Sequence, residues 1–297
     1  MPLGAATRSY PRRHPHDEAE MTTPPSLSAR AACAALALMI AAPPARAQDE
    51  VPFVTTPDAV TAAMLELADV SARDHVIDLG SGDGRIVIAA ARRGATGLGV
   101  EIVPELVEQS RANARAAGVA ARVEFREQDL FRTDLARATV VTMYVLPEVN
   151  LQLRPRLLAL APGTRLVSHD WDLGDWAPDR SVRIDVPDKA LGRDKFSRVH
   201  FWVVPAQVHG RWCGGGATLD IVQRFQRFSA AVIGRDGPAP PLVFDGRIAA
   251  TTLVGEGLRP VVLRLDGSDT LRRIDTASLA GLGPTAFVRA AEGAPCP

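Results

Sequence analysis

Aromatic residues make up only 5% of this chain, and its 34 basic residues are matched by 34 acidic ones. Nucleic-acid binders usually carry a basic surplus, and single-strand binders carry stacking rings. No nucleic-acid partner is therefore indicated. Long hydrophobic runs are missing too. The apolar stretch at residues 31–42 is shorter than the ~20 residues a bilayer span needs, so no transmembrane span is expected. Cysteine occurs three times, at Cys33, Cys213 and Cys296. His200 and His209 lack metal-ligand spacing, and Cys213 has no basic neighbour to activate a thiol.

What is present begins with an unusual N-terminus. Residues 1–30 are rich in Pro, Ser, Thr and Arg without an apolar period, which reads as a disordered leader. Residues 31–47 then combine a basic flank at Arg30, a short apolar core and Ala45-Arg46-Ala47. That is the pattern of a secretory signal cut before Gln48. It predicts an exported, periplasmic protein. If the stretch is only an alanine-rich leader, the location is cytoplasmic. Removing it would leave Cys213 and Cys296, which an oxidising compartment can join. In a reducing one they are two separate thiols.

From residue 51 strand and helix patterns alternate. "DAVTAAMLELA" has helical spacing, "DHVIDLG" is a short buried strand, and "RIVIAAARRG" is a helix closed by Gly94. "GLGVEI", "RVEFREQDL", "TVVTMYVL" and "TRLVSHD" are further strands, and "SVRIDV" and "RVHFWVVP" complete a sheet. Pro155 is expected to kink or divide the helix "EVNLQLRPRLLALA". Such alternation predicts an α/β doubly wound fold over residues 51–205. Helical period then disappears. Asp236-Gly237, Asp245-Gly246 and Asp266-Gly267 read as hairpin turns, and "TLDIVQRFQRF" as a strand with a bulge. Residues 206–297 are expected to form a small antiparallel β domain of unassigned role.

The chemistry centres on "DLGSGDGR", residues 78–85. A glycine-rich turn between a strand and a helix can cradle an anion on its N–H groups. The spacing Gly80-x-Gly82-x-Gly84 departs from the dinucleotide pattern G-x-G-x-x-G, and Asp83 would repel a pyrophosphate. A ligand with one carboxylate and a cationic centre fits better.

This segment resembles motif I of class I S-adenosylmethionine-dependent methyltransferases. With "PFVTTPDAVTAAMLELA" before it and "GVEIVPELVEQSRANA" after it, the chain is similar to the lysine N-methyltransferases that modify the c subunit of ATP synthase, and to their bacterial relatives. The resemblance implies a mostly parallel, seven-stranded Rossmann-like sheet and S-adenosylmethionine as cofactor. It implies that Asp78 holds the methionine amino end and that Gly80, Gly82 and Gly84 admit the cofactor to the backbone. Glu101 would accept the ribose hydroxyls and Asp129 would read the adenine amino group. Thr55, Thr56 and Pro57 resemble the family's opening motif, and an ordinary helix cap is the other reading.

Methyl transfer needs an aligned nucleophile more than a dedicated base. Tyr144, Glu148, His169 and Asp170 follow strands four and five, where the acceptor would lie. Tyr144 and Asp170 are the candidates for catalysis. His169 is expected to be a strand-end residue with a backbone partner. "YVLPE" replaces the Asn/Asp-Pro-Pro-aromatic motif of amide and adenine N-methyltransferases. The resemblance implies a protein lysine as the acceptor, and a membrane protein can supply it. A small-molecule acceptor, or a non-catalytic binding module on the same fold, are the alternatives.

Overall fold

The computed structural model describes residues 54–190, 194–234, 240–257, 261–274 and 285–296. The leader, the signal-like stretch and Asp236-Gly237 lie outside these residues. Helix α1 (Asp58–Leu67) precedes β1 (His75–Leu79), α2 (Arg85–Arg92), β2 (Thr96–Glu101), α3 (Pro104–Ala116) and β3 (Val123–Glu127). Then come β4 (Val140–Met143), α4 (Pro147–Leu158), β5 (Arg165–His169), β6 (Arg180–Asp185) and β7 (Phe196–Val203). They form one seven-stranded sheet in the order β3-β2-β1-β4-β5-β7-β6. Strands β3, β2, β1, β4 and β5 are parallel, and β7 runs antiparallel to both β5 and β6. This is the doubly wound sheet the alternation predicts.

Helix boundaries follow local chemistry. Pro104 and Pro147 sit in the first turns of α3 and α4, where a missing N–H costs nothing. Gly94 and Gly118 follow α2 and α3 at φ 93° and 70°, a left-handed conformation that glycine adopts without strain. Pro155 lies inside α4, which nevertheless runs unbroken from Pro147 to Leu158. The expected division is thus absent. Leu153 and Leu157 flank the proline and are fully buried, so packing against the sheet holds the helix through it.

The sheet is apolar on both faces. Val60, Met64, Ile86 and Ala90 cover one face over Val140, Val167 and Val199. On the other, Leu153 and Leu157 pack with Val141 and Leu166, and Trp176 and Trp202 extend the layer. No helix joins β5 to β6. The segment between them places Trp176 in the core, where Trp202 Nε1 donates to the Trp176 carbonyl at 2.8 Å. Phe225 stacks on Trp176 with ring centroids 5.9 Å apart. It comes from the C-terminal region, which so covers sheet that a crossover helix would otherwise cover.

That region comprises β8 (Gly210–Gly214), β9 (Ala217–Arg224), β10 (Arg227–Gly234), β11 (Leu242–Ala249), β12 (Thr252–Gly255), β13 (Val262–Asp266), β14 (Thr270–Arg273) and β15 (Ala286–Arg289). Each pairs antiparallel with its neighbour, and β15 returns to β8, closing a barrel. Trp212, Phe228, Phe287 and Leu271 fill its interior. Two expectations are corrected. "TLDIVQRFQRF" is a hairpin, β9 and β10, rather than a bulged strand, and its turn holds Phe225 at φ 53°. Asp245-Gly246 is strand, not turn. A Cβ at Gly246 would stand 2.4 Å from the Val254 carbonyl and 2.5 Å from the Phe228 ring, so the glycine permits close packing. Asp266 ends β13 and Gly267 opens the turn to β14.

Cys213 and Cys296 form a disulfide with Cα atoms 5.4 Å apart and a sequence separation of 83. A loop that long corresponds to about 4.5 kcal/mol in the chain-entropy model. The bridge ties the last residues to β8, beside the pairing that closes the barrel. The barrel also meets the sheet region through polar contacts. Gln226 Nε2 donates to the Ala177 carbonyl at 2.7 Å, and Arg247 pairs with Asp179 at 2.8 Å. No helix among the described residues is long and apolar enough to cross a membrane.

Candidate active site

The turn between β1 and α2 holds Gly80, Gly82 and Gly84 at φ 75°, 53° and 80°. A side chain at any of them would be strained. A Cβ at Gly84 would also lie 2.7 Å from the Phe125 ring, so this glycine is needed to seat the turn on β3. That packing role needs no ligand. Four of the turn's N–H groups are already committed. Gly80 and Ser81 donate to the Val100 carbonyl at 3.0 and 2.9 Å, and Gly84 to the Ser81 carbonyl at 2.9 Å. Gly82 N–H donates to Glu101 Oε2 at 3.0 Å. Beside the turn stand carboxylates at the strand ends.

Those carboxylates come from consecutive strand ends. Asp78 is 2% exposed on β1 and accepts a hydrogen bond from Thr142 Oγ1 at 2.6 Å. Burial drives its pKa up to about 7, the Thr142 bond opposes the rise, and the charges of Glu101 and Asp83 add to it. An approaching cation favours the ionised form of such a carboxyl. Glu101 ends β2. Its Oε1 accepts from Ile102 and Val103 N–H at 2.8 and 3.1 Å. Oε1 is thereby filled, while Oε2, with Gly82 N–H as its one donor, keeps a lone pair for a hydroxyl. Asp83 does not stand as a bare charge, contrary to the sequence argument about pyrophosphate. Arg85 clamps it, Nε to Oδ1 at 3.0 Å and Nη2 to Oδ2 at 2.7 Å. Asp129 follows β3 and caps a short 3-10 helix, its Oδ1 accepting from Phe131 N–H at 2.8 Å. Its other oxygen lies on an exposed edge near Arg132.

Tyr144 and His169 follow β4 and end β5, side by side at the carboxyl edge. Their rings stack with centroids 3.8 Å apart. Burial, then the charge of Asp170, raises the Tyr144 pKa above its ordinary value. His169 is 1% exposed, and its partners are hydroxyls rather than the backbone group expected. Nδ1 meets Thr56 Oγ1 at 3.2 Å and Nε2 meets Ser197 Oγ at 2.8 Å. Thr56 therefore docks the opening segment onto the sheet and makes no helix cap. Asp170 sits at φ 62° with both oxygens engaged, by Arg198 N–H at 2.9 Å and by Lys189 Nζ at 2.6 Å. Both oxygens of this catalytic candidate are thus tied to β7 and to Lys189 within the protein. Glu148 is exposed in the first turn of α4. Sequence reasoning missed Thr142, Arg85, Lys189 and Ser197. Only the Asp83-x-Arg85 spacing offered a signal.

A buried carboxyl short of a cation, a second acid with a spare lone pair and a third at the β3 edge fit the ammonium, ribose and adenine groups of S-adenosylmethionine.

Comparison with known proteins agrees. A family model described as the ANTKMT methyltransferase domain matches residues 78–180. A protein-lysine N-methyltransferase of Saccharolobus islandicus (strain REY15A) is 43% identical over 138 residues, 46% of this chain and 86% of that protein. The Mus musculus lysine N-methyltransferase of the ATP synthase c protein is 38% identical over 111 residues, which span 37% of this chain and 45% of the mouse enzyme. A solved structure described as an RNA methyltransferase from Salinibacter ruber with S-adenosyl-L-homocysteine is 54% identical, with a TM-score of 0.47. It is covered for 96% of its length by 52% of this chain. All these matches fall short of half, or barely reach half, of the present chain. Kinship over 86% of the archaeal enzyme, at 43% identity, places the chain in the protein-lysine N-methyltransferase family of S-adenosylmethionine-dependent methyltransferases.

Proposed function

We propose that the protein transfers a methyl group to the side-chain amine of a lysine in another protein. The observation that carries this reading is the similarity to the archaeal protein-lysine methyltransferase across most of that protein's length. S-adenosylmethionine, when bound, supplies a methyl group on an electrophilic sulfonium. Asp78, Gly80, Gly82, Glu101 and Asp129 are the residues that would hold it. The remaining task is to present an unprotonated amine in line. Asp170 is engaged by Lys189 and leaves that role. The Tyr144 hydroxyl makes no hydrogen bond among the described residues and stands at the end of β4, where it can accept an N–H of the amine and aim the lone pair. A half-buried mouth also lowers the cost of the neutral amine. Protein acceptors are expected to lose methyl acceptance when their lysines are acetylated beforehand. Undiminished transfer to acetylated protein would reject a lysine target.

We further propose that residues 31–47 direct export. The Cys213–Cys296 bridge supports this, because disulfides persist in oxidising compartments. N-terminal sequencing after cell fractionation is expected to find periplasmic protein starting at Gln48. Cytosolic protein retaining residues 31–47 would contradict it. An exported enzyme would require a supply of S-adenosylmethionine outside the cytosol.

A further inference from the structure

A continuous chain of contacts joins the glycine turn to the acceptor side. Asp83 is clamped by Arg85, whose Nη1 donates to the Thr56 carbonyl at 2.7 Å. The Thr56 hydroxyl lies 3.2 Å from His169 Nδ1, and the imidazole stacks on Tyr144. On its far side His169 Nε2 is 2.8 Å from Ser197 Oγ on β7. Thr and Ser hydroxyls donate or accept, so either neutral tautomer satisfies both nitrogens. Asp170 Oδ2 is 3.5 Å from Nε2 and is itself bound by Lys189. The ring thus has no free nitrogen for an incoming substrate.

We infer that His169 is a positioning residue. It fixes the ring plane of Tyr144 at the acceptor mouth and pins the Thr55-Thr56 segment to the sheet, so that acceptor and cofactor elements share one rigid frame. The inference rests on the proposed lysine methylation for its functional meaning, but its structural core is the contact chain itself. Burial keeps the imidazole neutral by lowering its pKa to about 4, with Lys189 acting in the same direction and Asp170 opposing. Acid–base work near neutral pH is therefore not its task. A ring fixed on two sides by hydrogen bonds and on one by stacking is suited to holding its neighbour. A small misplacement of a reacting group can cost about 100-fold in rate.

The test uses the full chain, which has two tyrosines, Tyr10 and Tyr144. In a Tyr10→Phe background the phenolate absorbance reports Tyr144 alone. His169→Ala is expected to move the Tyr144 titration down towards the ordinary tyrosine value. It is also expected to lower kcat for a protein acceptor by about 100-fold, with S-adenosylhomocysteine affinity within about threefold of wild type. His169→Phe keeps a ring against Tyr144 and is expected to recover most of the titration shift and of kcat. Should His169→Ala fail to fold, His169→Phe and Thr56→Val carry the comparison, with Thr56→Val giving a smaller shift in the same direction. An unchanged Tyr144 titration in His169→Ala, or in Thr56→Val where the alanine variant does not fold, overturns the inference, as does a kcat that falls only in step with lost folded protein. If the wild type methylates no lysine, the proposed function fails, while the titration still decides whether His169 holds Tyr144.

Discussion

Glu101→Ala weakens S-adenosylhomocysteine binding by about 100-fold or more in calorimetric titration. Two losses combine. The variant removes the proposed acceptor for a ribose hydroxyl. It also removes the acceptor of Gly82, Ile102 and Val103 N–H, so the glycine turn loses its tie to β2. Hydrogen bonds to a charged group contribute about 1.5–3 kcal/mol each, and every 1.4 kcal/mol is about a factor of ten in affinity. One such bond to the ligand gives a loss of about ten- to a hundredfold, and the freed glycine turn adds to it. Glu101→Gln keeps one acceptor oxygen and is expected to fall between, about tenfold weaker than wild type. Melting curves of the free variants separate loss of the ligand contacts from collapse of the turn. Binding by Glu101→Ala at wild-type strength would remove Glu101 from the site.

The second large effect is a pH dependence set by Asp78. Its pKa in the folded protein is raised to about 7 from 3.8. A carboxyl with a raised folded value favours folding less as pH increases. The loss grows from the unfolded value to the folded value and is flat above it, amounting to about 4 kcal/mol at most. Bound cofactor changes the balance, since its ammonium group favours ionised Asp78. Affinity is therefore expected to rise as pH increases through about 7. At pH 6 it should be about tenfold below its plateau, with nearly one proton released per ligand bound. Titrations in buffers of different ionisation enthalpy count that proton. Asp78→Asn should bind weakly at every pH and release none. A wild-type affinity that is flat between about pH 5.5 and 8 would show that Asp78 does not meet the ammonium.

Both residues were legible in the sequence because their signal is local. A buried strand, three glycines and an amphipathic helix place Asp78 at a strand end, and the next strand brings Glu101 to the same edge. The bonds that complete the site are not local in this sense. Thr142 is 64 residues from Asp78, and Ser197 is 28 from His169. Nothing in either neighbourhood marks such a pair before the sheet order is known. The same holds for Phe225, whose aromatic side chain reads as part of a strand until the β9–β10 turn carries it onto Trp176. Asp245-Gly246 misled for a related reason. The dipeptide that suits a turn also suits a strand where a neighbouring ring leaves no space for a Cβ. Barrel closure was equally hidden, since it depends on β15 returning to β8 across the whole region. For Asp170 the sequence showed an acid at the correct edge. Its commitment to Lys189 was set by the fold.

The central claim is that the methyl group goes to lysine. The most direct measurement incubates the full-length protein with heavy-methyl S-adenosylmethionine and an extract from its own source organism. Mass spectrometry then locates the label in protein digests, nucleic acid and small molecules. Heavy methyl is expected on lysine side chains of protein, and none with Glu101→Ala. Label confined to RNA or to small molecules, with lysines unmarked while the protein binds cofactor, would contradict the claim.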